Sequence, residues 1–155
     1  MSVYIHSIAT ANPPYKYEQS QVRDFVKEQL PAGSMAQRIT HRVYTSSGIE
    51  TRYSAIPDLF EKYDGESFFR KDSEQKLQTP DTKFRNDWYI RHSKPLFTEV
   101  CKNALEESEF STKDITHLIT VSCTGFYAPG PDYFIVRELG LNVSVQRYHL
   151  GFMGC

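Results

Sequence analysis

Cysteine is scarce in this sequence, long apolar runs are missing, and neither sign of charge prevails. The three cysteines, Cys101, Cys123 and Cys155, are odd in number, widely spaced and without a C-x-x-C pair, which argues against a disulfide framework and against a zinc site. Reduced thiols are therefore expected. Eighteen basic side chains face nineteen acidic ones, a formal net charge of -1, so no bulk field favours nucleic acid or an anionic membrane. Any anion site has to be local. No apolar run approaches the roughly 18 to 20 residues of a membrane span, and the opening "MSVYIHSIATANPP" lacks the basic start and apolar core of a secretory signal. A cytoplasmic protein is the resulting expectation. The five histidines, His6, His41, His92, His117 and His149, never fall at the i, i+4 spacing of helical metal ligands, so no metal is expected.

What is present fits one ordinary domain: 155 residues, 39% hydrophobic and 14% aromatic, with no repeat, low-complexity tract or dividing linker. "SVYIHSIAT" alternates and "ANPP" stops it, predicting a first strand. Val22, Phe25, Val26 and Leu30 fall at helical intervals, predicting a helix from Tyr17 to Leu30 that "PAG" ends. A shorter helix is predicted from Met35 to Tyr44. The polar stretch from Ile56 to Thr82 predicts surface helix fragments and loop.

Pro95 suits a helix's first turn or a kink, and Leu96, Phe97, Val100, Cys101, Ala104 and Leu105 then repeat as pairs four residues apart. That stripe makes Cys101 a packing residue. "DITHLITVSC" predicts a strand, "TGFYAPGPD" breaks it, a helix from Asp132 to Leu139 is capped by Gly140, and "VSVQRYHL" predicts a last strand. The order helix, strand, loop, helix, strand points to an α/β layered fold with both strands ending at one edge, where ligands gather in such sheets.

Two segments at that edge can carry chemistry. Cys155 follows a strand and a glycine, as in a nucleophile elbow, where small neighbours permit a sharp turn and a following helix would lower the thiol's pKa. A lone cysteine is also commonly a small buried hydrophobe. "SCTGFYAPGPD" reads equally as a plain connection or as the other wall of a site. Arg38 and Arg42, four apart on one helical face, are solvated charges or a phosphate-binding pair.

The forty-odd residues from Ile115 to Cys155, with "THL", a "TG" followed three residues later by "PG", then "DY", "LGL", "V-R" and the closing "GC", resemble the segment leading to the nucleophile of type III polyketide synthases, the chalcone-synthase-like family. "GIETRY" at 48–53 resembles that family's short basic-aromatic motif. The resemblance implies a thiolase-like αβαβα layered sandwich, of which this chain supplies most of the N-terminal half. It implies an acyltransferase that condenses a starter acyl-CoA with malonyl-CoA through a cysteine thioester. Coenzyme A thioesters are then substrates, and no cofactor is implied.

By position, the resemblance makes Cys155 the nucleophile. It places Cys123 and Thr124 at the acyl cavity and Ala128 on the loop that crosses into a neighbouring active site, which implies a homodimer. Phe152 and Met153, with Gly151, replace the more polar run of plant chalcone synthases and imply a bacterial-type cavity. Arg42 matches one basic position at the CoA tunnel, with Arg38 as a substitute for another. The family's catalytic histidine and asparagine lie beyond the cysteine, so residues 1–155 are expected to be the N-terminal portion of a longer synthase. Alone they would expose an apolar face and an unpaired sheet edge. A ketoacyl synthase that draws on acyl carrier protein, and a non-catalytic assembly subunit, are the rival readings.

Overall fold

The computed structural model describes residues 2–57, 59, 67–73, 76–151, 153 and 154. In chain order the elements are β1 (Tyr15–Glu18), α1 (Gln19–Glu28), α2 (Met35–Ser46), β2 (Thr51–Ser54), β3 (Arg70–Lys71), β4 (Leu77–Gln78), α3 (Thr82–Glu106), β5 (His117–Val121), α4 (Pro131–Leu139) and β6 (Gln146–Leu150). They form two compact units, Asn12–Asp81 and Met1–Ala11 with Thr82–Cys155.

In the unit of residues 12–81, β1 and β2 pair antiparallel with Tyr17 opposite Arg52, and α1 packs on α2. Tyr17 thus belongs to a strand, and the helix predicted from it starts two residues later. The reason is the partner: the "TRYS" segment supplies a ladder that helical periodicity cannot anticipate. Buried Gln19 ties the unit together, accepting from Arg52 Nε at 2.5 Å and donating to Ser47 Oγ at 3.0 Å. Ser34 caps α2 by accepting the Gln37 N–H. Between Ile56 and Thr82 the described residues contain the short β3–β4 hairpin in place of the expected helix fragments. Residues 58, 60–66, 74 and 75 of that stretch lie outside the described residues.

In the other unit the predicted first strand is absent. Residues 2–10 are described with no ladder partner, and Val3, Tyr4, Ile5 and Ile8 are largely exposed. Alternation sets only which way side chains point; a strand also needs a neighbour for its backbone groups. The segment is held instead by side chains: the Ser7 hydroxyl donates to Ala104 O at 2.7 Å, and His6 packs edge-on against Phe110.

Helix α3 begins at Thr82, well before the predicted start near Pro95, which lies inside it on an exposed position. Phe84, Trp88 and His92, four apart, form a ring ladder along its first half, with centroids 5.8 and 4.8 Å apart. That ladder sustains the helix ahead of the proline. Cys101 is a free, part-buried thiol whose pKa burial pushes up, in keeping with packing. The core gathers on Trp88, Ile135, Leu141 and Val145, with Pro131 also enclosed at the first turn of α4. Gly140 ends α4 in the left-handed conformation, φ 64°, as expected of a glycine cap.

Strands β5 and β6 pair parallel, His117 opposite Gln146 through Val121 opposite Leu150, so both end at one edge as the sequence predicts. The alternation of β5 sorts its faces unexpectedly: Thr120 is buried while Ile119 and Val121 are exposed. Parallel sheets are normally covered on both faces, and here, among the described residues, α4 packs against both strands while Ile119 and Val121 stay exposed.

Candidate active-site edge

Beyond the strands the two chain segments stay in contact. Ser122 N–H donates to Leu150 O at 3.0 Å, and Met153 N–H donates to Cys123 O at 3.3 Å. The loop after β5 and the turn after β6 therefore meet, which brings Cys123 and Met153 together at the sheet edge. Cys155 and Phe152 lie outside the described residues.

The turn leading to Cys155 is tight. Met153 has φ 68°, a left-handed value uncommon for a residue with a side chain. A Cβ added to Gly154 would stand 2.1 Å from Leu150 O, so only glycine lets the chain fold back over the end of β6. Small-residue necessity of this kind is what a sharp strand-to-nucleophile turn requires. The sequence showed the Gly-Cys pair; the backbone supplies the reason for the glycine.

The loop from Ser122 to Gly130 is anchored on α3. Asn86 clamps the Phe126 backbone at two points: its Oδ1 accepts the Phe126 N–H and its Nδ2 donates to Phe126 O, both at 2.9 Å. The Tyr89 hydroxyl donates to Ser122 Oγ at 2.8 Å, and the Ser122 hydroxyl donates onward to Thr124 O at 2.7 Å. Gly125, φ 71°, lies so close to Tyr89 that a Cβ would stand 2.0 Å from a ring carbon. Thr124 and Asn86 share the wall of a cavity of about 230 Å³, together with Thr82, Arg85, Gly125 and Phe126. Ala128 precedes Pro129 through a cis peptide bond and is exposed, as is most of the Phe126 side chain.

Tyr127 turns the opposite way and is wedged among Tyr89, Phe134 and Lys94, whose ammonium lies 3.8 Å from the Phe134 ring centre. Its hydroxyl is buried without a hydrogen bond of normal geometry. Burial pushes the phenol's pKa up, and the nearby Ser93 hydroxyl opposes that shift. Asn86, Tyr89 and Ser122 are functional neighbours that reasoning from the sequence missed. The available signal was two polar residues three apart, Asn86 and Tyr89, on a helix facing a glycine-rich loop.

His149 sits across from Thr120 and close to Gly151. Its Nδ1 lies 2.8 Å from Thr120 Oγ1, and its Nε2 would meet a Cβ at Gly151 at 2.8 Å. Cys123 departs from the expectation of reduced thiols, being disulfide-bonded in this structure. Its position at the strand-end junction, exposed and beside the turn, gives the physical opportunity that a count of cysteines does not reveal. Arg38 and Arg42 stand exposed on α2, in the unit of residues 12–81. Among the described residues no helix is long and apolar enough to cross a membrane, and no group of three or more metal-ligating side chains occurs.

Residues 4–155 match the family described as chalcone and stilbene synthases, N-terminal domain. The chain is 36% identical over 152 residues to the alpha-pyrone synthesis polyketide synthase-like protein Pks18 of Mycobacterium tuberculosis, covering 97% of this chain and 36% of that protein. It is 33% identical over 153 residues to the type III polyketide synthase pspB of Penicillium soppii, covering 99% and 36%. The crystal structure of PKS-I from the brown alga Ectocarpus siliculosus superposes with a TM-score of 0.76 at 30% identity, over 94% of this chain and 38% of that one. The chain thus spans little more than a third of the length of these relatives. Its fold is the corresponding part of the thiolase-like architecture, and these relatives favour neither a carrier-protein-dependent enzyme nor an assembly subunit.

Proposed function

Because the chain belongs to the chalcone and stilbene synthase family through its N-terminal domain, we propose that it is the first portion of a type III polyketide synthase whose acyl carrier is Cys155. In that reading the Cys155 thiolate attacks the carbonyl of a starter acyl-CoA. The thioester bond to coenzyme A breaks, free CoA leaves as its thiol, and the acyl group rests on sulfur. Malonyl-CoA then loses carbon dioxide, and the resulting enolate carbon attacks the enzyme-bound acyl carbonyl, releasing the Cys155 thiolate and forming the extended CoA ester. A thiolate suits both steps because it is a strong nucleophile and a good leaving group near neutral pH.

The observation that best supports this reading is the junction of the two strand ends, where Met153 N–H meets Cys123 O and Gly154 permits the turn that precedes Cys155. Cys123, Thr124, Met153 and Phe152 would shape the acyl cavity, and Ala128 would reach the second active site of a cytoplasmic homodimer. Arg38 and Arg42 would meet the phosphates of coenzyme A. The residues that stabilise the enolate oxygen would come from the part of the synthase following Cys155.

The test is acyl loading of the full-length synthase under reducing conditions. Incubation with an acyl-CoA should add one acyl mass, located by peptide mapping on Cys155, and Cys155→Ala should abolish it. A wild-type protein that gains no acyl mass with short or long starters would overturn the reading.

A further inference from the structure

The Asn86 clamp has no counterpart in the chemistry of the thiol, yet it is the most fully built contact on the loop. Two hydrogen bonds from a single side-chain amide grip both backbone groups of Phe126 across forty residues of sequence. Such an arrangement imitates one rung of a β-ladder and fixes position and direction of the backbone together. One turn further along α3, Tyr89 holds the loop's first residue through its hydroxyl and the loop's bend through its ring, against which only Gly125 fits. Thr124 lies between these two fixed points, and its carbonyl is itself held by Ser122. The wall that Asn86 shares with Thr124 bounds the same cavity.

Resting on the synthase reading above, we infer that Asn86 is a positioning residue that sets acyl specificity: by clamping Phe126 it fixes Thr124 and Ala128, and so decides which starter chain the cavity accepts. Asn86 acts through the loop and takes no part in bond making. The geometry explains why asparagine is required. An aspartate keeps the acceptor for the Phe126 N–H but turns a carboxylate toward the Phe126 carbonyl, and an alanine leaves both backbone groups without a partner. A cavity wall released in this way discriminates poorly, since a single methylene in an apolar pocket is worth on the order of tenfold or more when the wall is firm.

The experiment uses the full-length synthase and three variants, Asn86→Ala, Asn86→Asp and Tyr89→Phe, with two readouts. Amide hydrogen exchange at Phe126 reads the clamp directly, and protection should fall about tenfold in Asn86→Ala and less in Asn86→Asp, which keeps the acceptor, while changing little in Tyr89→Phe. The ratio of kcat/KM for a long-chain against a short-chain acyl-CoA reads specificity. It should shift at least about fivefold in the Asn86 variants. Loading of the starter that the wild type prefers should still be found on Cys155. Unchanged exchange at Phe126 overturns the clamp. Faster exchange with an unchanged starter ratio, or an equal fall for both starters, leaves Asn86 a purely structural residue and overturns the inference. A wild type that takes no acyl group sinks the synthase reading by itself, and is told apart because the exchange result is obtained independently. Should Asn86→Ala fold poorly, Asn86→Asp, which loses the bond to Phe126 O, carries the starter comparison.

Discussion

Thr120 Oγ1 and His149 Nδ1 lie 2.8 Å apart, on directly opposed positions of the two parallel strands. Thr120 is buried and His149 exposed, and both lie on the face opposite Ile119 and Val121, so an interior hydroxyl is satisfied by a ring that solvent reaches. The contact is unequal. Removing the histidine strands a buried group, whereas removing the hydroxyl leaves an imidazole that water can reach. His149→Ala is therefore expected to cost about 1–3 kcal/mol, and Thr120→Val about 0.5–1.5 kcal/mol. The double variant should cost less than the sum of the two, because the valine leaves no hydroxyl to orphan. Denaturant unfolding of the four proteins checks this, and strict additivity would remove the pair from the account.

Gly125 should tolerate no side chain. Alanine there combines a left-handed backbone with a Cβ 2.0 Å from the Tyr89 ring, and the expected loss is more than about 2 kcal/mol. In a Tyr89→Ala background the steric part vanishes, leaving about 1 kcal/mol for the backbone conformation. Thermal unfolding of the single and double variants separates the two contributions. If Gly125→Ala costs as much without the ring as with it, the close approach is not the cause.

The parallel pair, the glycine cap of α4 and the meeting of strand ends at one edge were all legible in the sequence, because each depends on local pattern: alternation, a C-terminal glycine, a loop rich in glycine and proline. The first strand was misread because alternation in "SVYIHSIAT" carries no information about a pairing partner. Helix α3 was cut short because Pro95 has the look of a start, while the Phe84, Trp88 and His92 ladder that carries the helix through it runs on aromatic packing. At the strand-end junction, Cys123, Thr124 and Met153 come from the resemblance to the family. Asn86 escaped because its role exists only once a residue forty positions away arrives beside it.

Half-buried His92 should make the protein acid-sensitive. Burial first, and then the charge of Arg91, hold its pKa below the ordinary value, and its Nε2 is enclosed without a hydrogen-bond partner. The neutral ring packs against Trp88. Below the unfolded value of about 6.5 the unfolded chain binds the proton more readily than the folded one. The contribution of His92 is thus whole above that pH and is lost as pH falls toward its lowered folded value. The fall in melting temperature of the full-length protein between about pH 7.5 and pH 5.5 should shrink in His92→Gln. An unaltered fall would assign the acid sensitivity to other groups.

The exposed face of the β5–β6 pair predicts opposite outcomes in two settings. Ile119 and Val121 on one strand stand beside Tyr148 and Leu150 on the other, all four between 41% and 61% exposed, while α4 packs against both strands. A contiguous apolar surface on a sheet is a site of association unless something covers it. Residues 1–155 produced alone should therefore self-associate, and Ile119→Thr with Leu150→Thr should reduce that, as read by light scattering. In the longer synthase proposed above, the same two substitutions should destabilise the fold, by roughly 1–3 kcal/mol each, because a covered apolar face loses transfer and packing energy when it is made polar. The change of sign is the diagnostic. A pair of substitutions that is harmless in the full-length protein would mean that this face remains open there, and the layered arrangement around it would have to be redrawn.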